Sequence, residues 1–214
     1  MIVDVVISTK NEGLRLKEAL ERLPHELIRS VVVVDGASKD SSTTIARDWG
    51  AVLLVEPDGG HGKRCQKAME HLQMLPAKPD VVILLQPSMV SKTSEVSVLL
   101  SVMEEGDYEL VLAVPEEYKP DIKEKMATQI VKNIYGQNYP HLNGMKAIRY
   151  PALVALGLSD QSMGWNAELL VKATRLELKI KEVPTKRDRG RERKPRWTSV
   201  GRSFYQILKH STRR

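Results

Sequence analysis

Two polar clusters in the first forty residues have the composition of a ligand-binding site. Asn11 and Glu12 follow one apolar run, and Asp35 directly follows a second. A carboxylate such as Asp35 can accept hydrogen bonds from the N–H edge of a nucleobase. The same residue types also begin turns and helices, and Asp40 fits a helix cap better than a ligand contact. Asp35 could therefore accept hydrogen bonds from such a ligand or open a turn with Gly36, while Asn11 and Glu12 either line the same pocket or start the next helix.

A glycine-rich stretch at residues 59–62 precedes Lys63, where a helix is predicted to begin. Backbone N–H groups at the amino end of a helix favour anions, and a lysine adds a mobile positive charge. The stretch lacks the spacing of a Walker A loop, so the glycines alone indicate little. Lys63 is a candidate contact for a phosphate, with an ordinary surface lysine as the alternative.

Two carboxylates in the second half of the chain could act as a general base toward a hydroxyl acceptor. Asp160 precedes a turn at Gly164, and Glu168 lies in the first turn of a predicted helix. A first-turn carboxylate is also favoured by the helix dipole alone, which is the structural alternative for Glu168. A phosphate acceptor would need no strong base, because it is already an anion at neutral pH.

Strands and helices that alternate along the chain must position these residues. Apolar runs predict strands at residues 3–7, 30–34, 51–55, 81–85, 109–113, 146–150 and 179–183. Helical patterns are predicted at residues 16–23, 41–49, 61–75, 95–103, 121–135, 164–175 and 197–210, with a further helix starting at Pro151. Continuous Val and Ile runs suit a parallel sheet buried on both faces, and ligands of such sheets bind beyond the carboxyl ends of the strands. Both polar clusters lie at that edge.

The positive charge is concentrated at the end of the chain. Residues 185–214 contain eleven Lys and Arg and two acidic residues, a local +9, whereas the whole chain carries +6. Such a segment favours an anionic partner, either a diphosphate or the surface of an anionic membrane. The aromatic and apolar residues at 197–208 would suit an interfacial helix or docking onto the core. Nucleic acid is not favoured, because no recognised binding motif accompanies the charge.

Length and composition predict a single α/β domain, and the cysteine content favours a reducing compartment. A chain of 214 residues with 42% hydrophobic residues can bury a substantial core. It has no apolar stretch long enough for a membrane-spanning helix, and Asp4 interrupts any signal-peptide core. Cys65 is the one cysteine, so no intramolecular disulfide can form. We expect a cytoplasmic protein that could contact the membrane surface peripherally.

The order of these motifs resembles that of family 2 glycosyltransferases, which have the GT-A fold and include the dolichol-phosphate sugar synthases. The family places an Asn-Glu pair, then V-D-D-G-S-x-D, then a Gly-Lys loop after successive strands. The chain has Asn11-Glu12, residues 34–40 (V-D-G-A-S-K-D) and Gly62-Lys63. Later, Glu168-Leu169, Glu182-Val183-Pro184 and residues 187–194 resemble the dolichol-phosphate branch. The resemblance covers about residues 2–195.

The resemblance implies a three-layer α/β/α GT-A fold with a mainly parallel mixed sheet in one domain over residues 1–214. Its nucleotide-sugar-binding half would run over about 1–114, its acceptor half over 115–195, and a basic C-terminal segment over 196–214. The implied reaction moves a sugar from a UDP- or GDP-sugar to a phosphate-bearing acceptor, such as polyprenyl or dolichyl phosphate. Asp35 would contact the nucleobase, Lys63 the diphosphate, and Gln86 and Ser88 would lie in the donor pocket.

The chain departs from the family at the end of the fourth strand. The acidic pair that holds Mg²⁺ or Mn²⁺ there is replaced by Gln86 and Ser88, and Gly36 replaces the second Asp of the V-D-D-G-S motif. Hard divalent cations prefer charged oxygen ligands, so we expect at most weak metal binding. Two consequences remain open. Basic side chains could neutralise the leaving diphosphate, or the pocket could bind a nucleotide or sugar without catalysis. The candidate basic residues are Arg187, Arg189, Arg191, Arg193 and Lys194.

Overall fold

A computed structural model of the protein describes residues 1–87, 95–116, 144–162 and 164–185, with Lys125, Gln129 and Lys132 as single helical positions. Most of the predicted helix at 121–135 and all of the predicted helix at 197–210 lie outside these residues. The same is true of several predicted site residues: Ser88, Arg187, Arg189, Arg191, Arg193 and Lys194.

Within the described residues, seven strands alternate with helices, close to the predicted positions. The strands are β1 (Val3–Thr9), β2 (Ser30–Asp35), β3 (Val52–Val55), β4 (Val81–Leu85), β5 (Leu110–Pro115), β6 (Lys146–Arg149) and β7 (Ile180–Thr185). The α-helices are α1 (Gly13–Glu21), α2 (Ser42–Asp48), α3 (His61–Met74), α4 (Glu95–Glu105), α5 (Tyr150–Ala155) and α6 (Trp165–Arg175). A short 3₁₀ turn at His25–Leu27 precedes β2. Three strands continue two residues beyond their predicted ends: β1 to Thr9, whose last side chains are also buried, β5 to Pro115 and β7 to Thr185.

The strands form one sheet in the order β3-β2-β1-β4-β6-β5-β7. The first four are parallel, β6 runs antiparallel to both of its neighbours, and β7 is parallel to β5. Strand order reverses beside β1, since β2 and β3 lie on one side of it and β4 on the other. The predicted mainly parallel mixed sheet is confirmed.

Alternating side chains of the strands divide the core between two helical layers. Val6 and Leu84 face the layer that contains α3, α5 and α6, while Ile7 and Ile83 face the layer with α1, α2 and α4. This alternation is the period-2 pattern of strands covered on both faces. The predicted three-layer α/β/α architecture is therefore confirmed.

An ion pair secures the amino edge of the sheet, opposite the predicted site. The carboxylate of Asp4 is fully buried in β1 and accepts hydrogen bonds from Nε and Nη2 of Arg29, the former at 2.9 Å. Nη1 of Arg29 donates to the carbonyl oxygen of Ala77 at 2.7 Å, which joins a third segment to the pair. These contacts raise the pKa of Arg29, chiefly through the hydrogen bond to Asp4. Asp4 thus has a structural role.

Across the part of the chain that the structure describes, no helix is both long enough and apolar enough to cross a membrane.

Candidate functional site

Ser38 joins the two polar clusters at the carboxyl edge of the sheet. Its backbone amide donates to Oδ2 of Asp35 at 2.7 Å, and its hydroxyl donates to Oδ1 at 2.5 Å. The same hydroxyl accepts a hydrogen bond from the amide of Asn11 at 2.7 Å. The side-chain oxygen of Asn11 in turn accepts from the amide of Lys39 at 2.8 Å. The loops after β1 and β2 therefore form one hydrogen-bonded unit. This is expected, because neighbouring parallel strands end at the same edge of the sheet.

Asp35 is fully buried at the centre of this unit. Each of its carboxylate oxygens accepts from Ser38, the arrangement of a side chain that closes its own turn. An ionised carboxylate has about four lone-pair sites, so capacity for further donors remains, but a nucleobase could use it only if the loop opened. Contact between Asp35 and a nucleobase stays a prediction.

Both loops contain a residue in the left-handed backbone region. Asn11 and Ala37 each have φ near 54°. Asparagine tolerates this conformation, whereas an alanine there costs about 1–2 kcal/mol through the contact of its Cβ. Ala37 stands where the family pattern has glycine, the residue that adopts this conformation without that contact.

Glu12 lies at the start of α1, and Asp40 lies just before α2. Oδ2 of Asp40 accepts from the amide of Gly13 at 2.9 Å, and Oδ1 accepts from the amide of Ser42 at 3.0 Å. Desolvation raises the pKa of Asp40, but the hydrogen bonds from Ser42 and Gly13 together lower it below its usual value. Glu12 occupies the N-cap position of α1. Asp40 thus accepts from the first amide of each helix, a structural role next to the cap expected of it, while the N-cap position of α2 is occupied by Ser41.

The glycine-rich stretch before α3 contacts a loop from the far end of the chain. The amides of Gly60 and Lys63 donate to the carbonyl oxygen of Gln161, at 3.0 and 3.1 Å, and the amide of Gly62 donates to that of Ser162 at 2.9 Å. Nζ of Lys63 lies 3.2 Å from Oε1 of Glu56. The amides expected to face an anion thus bind carbonyl groups here, and the diphosphate role of Lys63 stays a prediction.

This contact explains why the stretch needs glycines. A Cβ on Gly62 would lie 2.1 Å from the carbonyl oxygen of Asp160, a distance that no side chain could occupy. A Cβ on Gly60 would lie 2.9 Å from the carbonyl oxygen of Gln161. Backbone approaches backbone at both positions, so the pattern reflects packing between distant segments.

Glu168 holds the loop at residues 159–162 in place. It is 1% exposed, and its carboxylate accepts from the amide and hydroxyl of Ser159 at 3.0 Å and from the amide of Asp160 at 2.7 Å. Nζ of Lys172 lies 2.9 Å from Oε1. Desolvation raises the pKa of Glu168, but these donors, Lys172 first among them, bring it below the usual value.

Asp160 also bonds within that loop, because its Oδ1 accepts from the amide and hydroxyl of Ser162 at 2.8 and 2.7 Å. Both predicted general bases therefore have structural hydrogen bonds in this conformation. Their catalytic role stays a prediction.

A small cavity opens at the carboxyl edge between β1, β4, β6, α3 and α6, and we call it the polar cavity after the polar side chains in its wall. Val6, Leu84 and Leu85 supply its apolar lining, which is the larger part of its surface. Its polar lining consists of Ser8, His61, Cys65, Gln86, Lys146 and Asn166. Of these, Gln86 was expected near a ligand from the sequence, while Lys146, His61 and Asn166 were not. Nζ of Lys146 donates to the carbonyl oxygen of Gly144 at 2.7 Å and lies 3.4 Å from Oδ1 of Asn166.

Basic groups dominate the electrostatics of the polar cavity. Burial lowers the pKa of Lys146 to about 7. Burial, followed by the charges of Arg64 and Lys146, lowers the pKa of His61 to about 3. Burial raises the pKa of the Cys65 thiol to about 12. Arg64 is 9% exposed, and its Nε donates to Oγ of Ser8 at 2.8 Å. At neutral pH the imidazole and thiol are uncharged and Lys146 is partly protonated. Arg64 is the second basic group, and the carboxylates of Asp35, Glu12 and Glu56 act on it.

The end of β4 does not offer the donor set of a hard divalent cation. Gln86 supplies a neutral amide, whose nitrogen lies 3.3 Å from Nδ1 of His61. Among the described residues, no group of three His, Cys, Asp or Glu side chains is arranged to hold a metal ion. Because Mg²⁺ and Mn²⁺ select charged oxygen ligands, the residues described here do not fit either ion.

The sequence gives only weak signals that Lys146 and Asn166 line the cavity. Lys146 is a lysine between the apolar residues Met145 and Ala147 at the start of a short strand. Asn166 lies two positions before Glu168 in α6, about 200° away around a helix of 3.6 residues per turn. The sequence pattern indicates that this helix carries polar side chains, whereas only the packing shows that Asn166 lines the cavity.

Comparison with known proteins gives one family. The sequence model of the family described as "Glycosyl transferase family 2" matches residues 4–157. The curated relative "Glycosyltransferase AglJ" of Haloferax volcanii is 22% identical over 192 residues, which cover 86% of this chain and 62% of that protein. The chain thus spans less than two thirds of the length of this relative.

Similar solved structures share the fold at low sequence identity. Glucosyl-3-phosphoglycerate synthase from Mycobacterium tuberculosis, in complex with Mn²⁺, UDP and glucosyl-3-phosphoglycerate, has a TM-score of 0.81 and 16% identity. The match covers 98% of this chain and 80% of that one. The same synthase in complex with phosphoglyceric acid has a TM-score of 0.82, 17% identity and the same coverage. These values establish the similarity of fold.

Proposed function

The chain belongs to glycosyl transferase family 2, and we propose that it moves a sugar from a nucleotide-sugar donor to a phosphate-bearing acceptor. The donor would be a UDP- or GDP-sugar, and the acceptor a polyprenyl or dolichyl phosphate, as in the dolichol-phosphate branch of the family. A nucleotide- or sugar-binding protein without catalysis is the second candidate, because Gln86 stands where metal-dependent members have a carboxylate.

One observation carries the proposal: the polar cavity lies at the point where the strand order reverses. Ser8 lines it from β1 and Gln86 from the end of β4, the two strands on either side of the reversal. In open α/β sheets, ligands bind in the crevice outside the carboxyl ends of strands at such a point.

The proposed reaction is a displacement at the anomeric carbon of the sugar. The bond from this carbon to the β-phosphate oxygen breaks, and its electron pair leaves with the nucleoside diphosphate. An oxygen of the acceptor phosphate forms the new bond to the same carbon. No proton has to be removed from an ionised phosphate acceptor, so the structural hydrogen bonds of Glu168 and Asp160 do not oppose this chemistry.

Two observations support the proposal of a phosphate-bearing acceptor. Residues 185–214 carry a local +9, which favours an anionic partner near the end of the chain. A protein of similar fold has been crystallised with phosphoglyceric acid, a small phosphorylated compound. The first of these also fits an anionic membrane surface, where a lipid phosphate would be found.

Transfer from labelled donors tests the proposal. The chain is incubated with UDP-glucose, UDP-N-acetylglucosamine and GDP-mannose, each with a membrane lipid extract or with 3-phosphoglycerate. Label that enters the organic phase supports a lipid phosphate acceptor, and label in phosphoglycerate supports a small one. Donor binding without transfer or hydrolysis, under any metal tested, would overturn the catalytic proposal in favour of the binding protein.

A further inference from the structure

The side chain of Arg64 lies at the carboxyl edge of the sheet with most of its hydrogen-bond donors unused. The residue is 9% exposed, and its Nε donates to Oγ of Ser8 at 2.8 Å. Among the residues that the structure describes, Nη1 and Nη2 of Arg64 have no hydrogen-bond acceptor and no ion-pair partner. Buried polar groups in proteins are normally hydrogen-bonded, so the free end of this guanidinium group points to an acceptor that these segments do not supply.

The free end of Arg64 lies against Gly36, the first residue after β2. A Cβ added to Gly36 would lie 3.1 Å from Nη1 of Arg64 and 2.9 Å from Cδ of Lys10. The strand register explains this contact, because Ser8 lies opposite Val34 and Gly36 follows Val34 by two residues on the same face. Arg64 therefore reaches from the end of β1 to the end of β2.

Gly36 is the position at which the family motif V-D-D-G-S has its second aspartate. In this chain, the space in front of that position holds a guanidinium nitrogen and the stem of a lysine. Two basic side chains thus converge where the family motif has a carboxylate. Positive charge at this point attracts an anion and repels a divalent cation.

We propose that Arg64 and Lys10 form an anion site beside Gly36 that binds a phosphate group of the nucleotide donor. That this phosphate belongs to a nucleotide sugar rests on the proposed function, whereas the anion site itself rests on the geometry around Gly36. Phosphate suits the site because a guanidinium group can donate two parallel hydrogen bonds to its oxygens. The anion site lies beside the polar cavity and does not use its volume, since Arg64 is not among the residues that line that cavity.

Lys10 is the side chain that has to move for a phosphate to reach Arg64. Its Cβ and Cδ pack over Gly36, and the residue is exposed. Within the described segments, no ion pair holds its ammonium group in place. The stem of an exposed lysine changes rotamer at little cost in free energy, because water hydrates the ammonium group in each rotamer. When the stem turns aside it uncovers Arg64, and the ammonium group can then contact the bound phosphate.

Three carboxylates act on Arg64 without pairing with it. Burial lowers the pKa of Arg64, and the charges of Asp35, Glu12 and Glu56 oppose that effect. Each of these carboxylates has a nearer donor of its own. The nearer donors are Ser38 for Asp35, Arg15 for Glu12, and Lys63 and Lys67 for Glu56. The three carboxylates therefore help to keep the guanidinium group charged and leave Nη1 and Nη2 available.

Two substitutions at Gly36 separate an anion site from a packing effect. Gly36→Asp and Gly36→Asn add side chains of nearly the same size, so both displace Lys10 and they differ in charge. An aspartate would pair with Arg64 and repel a phosphate, whereas an asparagine would not. Calorimetric titration in EDTA compares the two variants with inorganic pyrophosphate, UDP-glucose and GDP-mannose. We expect Gly36→Asp to bind pyrophosphate, and any sugar nucleotide that binds, at least about tenfold more weakly than Gly36→Asn.

Arg64→Met provides an independent test, because it removes the guanidinium group and keeps an unbranched stem. It should bind pyrophosphate at least about tenfold more weakly than the unaltered chain. Arg47→Met is the matched control, since Arg47 is an exposed arginine in the last turn of α2, and it should not change affinity.

The outcomes separate the anion site from the proposed function. Equal pyrophosphate affinity in the two Gly36 variants overturns the anion site, as does an unaltered chain that does not bind pyrophosphate. Weaker UDP-glucose binding by Arg64→Met with unchanged pyrophosphate binding also overturns it, because Arg64 would then contact the base or the sugar. Pyrophosphate binding that needs Arg64, without binding of either sugar nucleotide, supports the anion site and counts against the proposed donor. If Arg64→Met fails to fold, the comparison of the two Gly36 variants decides.

Discussion

Both oxygens of the Asp35 carboxylate accept hydrogen bonds from one residue, Ser38, through its amide and its hydroxyl. The carboxylate that would read a nucleobase is thus also the one that shapes the loop after β2. The binding role and the loop-shaping role of Asp35 can be separated experimentally, because Ser38 contributes only to the shape of the loop.

The first prediction concerns this pair. Asp35→Ala should weaken UDP or GDP binding by about 1–3 kcal/mol if a donor on the base loses its acceptor. Ser38→Ala removes the hydroxyl but keeps the carboxylate, so it should cost stability, about 1 kcal/mol, and leave nucleotide affinity nearly unchanged. Calorimetric titration and urea unfolding measure the two quantities. If folded Asp35→Ala binds nucleotide like the unaltered chain, Asp35 belongs to the turn alone.

A second prediction concerns Glu168 and its loop. Glu168→Ala should destabilise the fold by about 2–4 kcal/mol, because the amides of Ser159 and Asp160 lose their acceptor inside the protein. Glu168→Gln retains an acceptor oxygen and should cost less. Urea unfolding followed by circular dichroism gives both values.

The pH dependence of this effect has a defined sign. The folded pKa of Glu168 lies below its ordinary value of 4.5, so the charged carboxylate stabilises the fold above pH 4.5. The advantage of the unaltered chain over Glu168→Gln should therefore shrink as the pH falls below 4.5. An advantage that grew on acidification would contradict the hydrogen-bond assignment.

A third prediction is an asymmetry in the Asp4–Arg29 pair. Arg29→Ala leaves the fully buried Asp4 carboxylate without its ion partner and should cost about 2–4 kcal/mol. Asp4→Asn leaves a partly exposed Arg29 that can reach water, so it should cost less. Neither should alter nucleotide affinity, because the pair lies at the amino edge of the sheet. Thermal unfolding and titration test both statements, and equal losses of stability would argue against the asymmetry.

A fourth prediction concerns the glycines before α3. Gly62→Ala should destabilise the protein by about 1–3 kcal/mol or displace the 159–162 loop, since its Cβ would lie 2.1 Å from the carbonyl oxygen of Asp160. Gly60→Ala is a milder change for comparison, because its Cβ would lie 2.9 Å from the nearest atom. The melting temperature should fall in both variants, and it should fall further in Gly62→Ala than in Gly60→Ala. A tolerated Gly62→Ala would show that the two segments are not in contact.

A fifth prediction concerns metal removal. With Gln86 in place of a carboxylate, nucleotide binding or turnover should change little, less than about threefold, when EDTA is added. Charge reversal or neutralisation at Arg189 and Lys194 should have the larger effect if the basic segment neutralises the diphosphate. Rate measurements with and without EDTA check this. Abolition of activity by EDTA, with no effect of the two substitutions, would require metal ligands from elsewhere in the chain.

The sequence predicted the strands well because burial on both faces leaves an unambiguous Val and Ile pattern, as at residues 30–34. The place of β6 between β4 and β5 could not be predicted in the same way. Consecutive strands are usually neighbours, and the pairing of Lys146 with Leu84 is a contact across more than sixty residues.

The site was predicted in part, for reasons that differ by residue. The loops after β1 and β2 carry their own polar motifs, so Asn11 and Asp35 could be placed together before the fold was known. Lys146 and Asn166 could not, because no local pattern states which side chains of a short strand and a helix line a cavity. The glycines at 60 and 62 indicated an anion loop by pattern, whereas their neighbours in space are the carbonyl groups of a distant loop.

The antiparallel strand β6 has a consequence for how the chain acquires its structure during synthesis. β1 to β4 can pair as soon as residue 85 has been made, but β5 pairs with β6 and β7, which follow it by more than thirty residues. Until Lys146–Arg149 leaves the ribosome, the edge of β4 and the whole apolar strand β5 have no partner in this sheet. A nascent chain at that stage presents a ready template for intermolecular strand pairing. The risk of pairing with another chain is therefore confined to the interval between the emergence of Leu110 and that of Arg149.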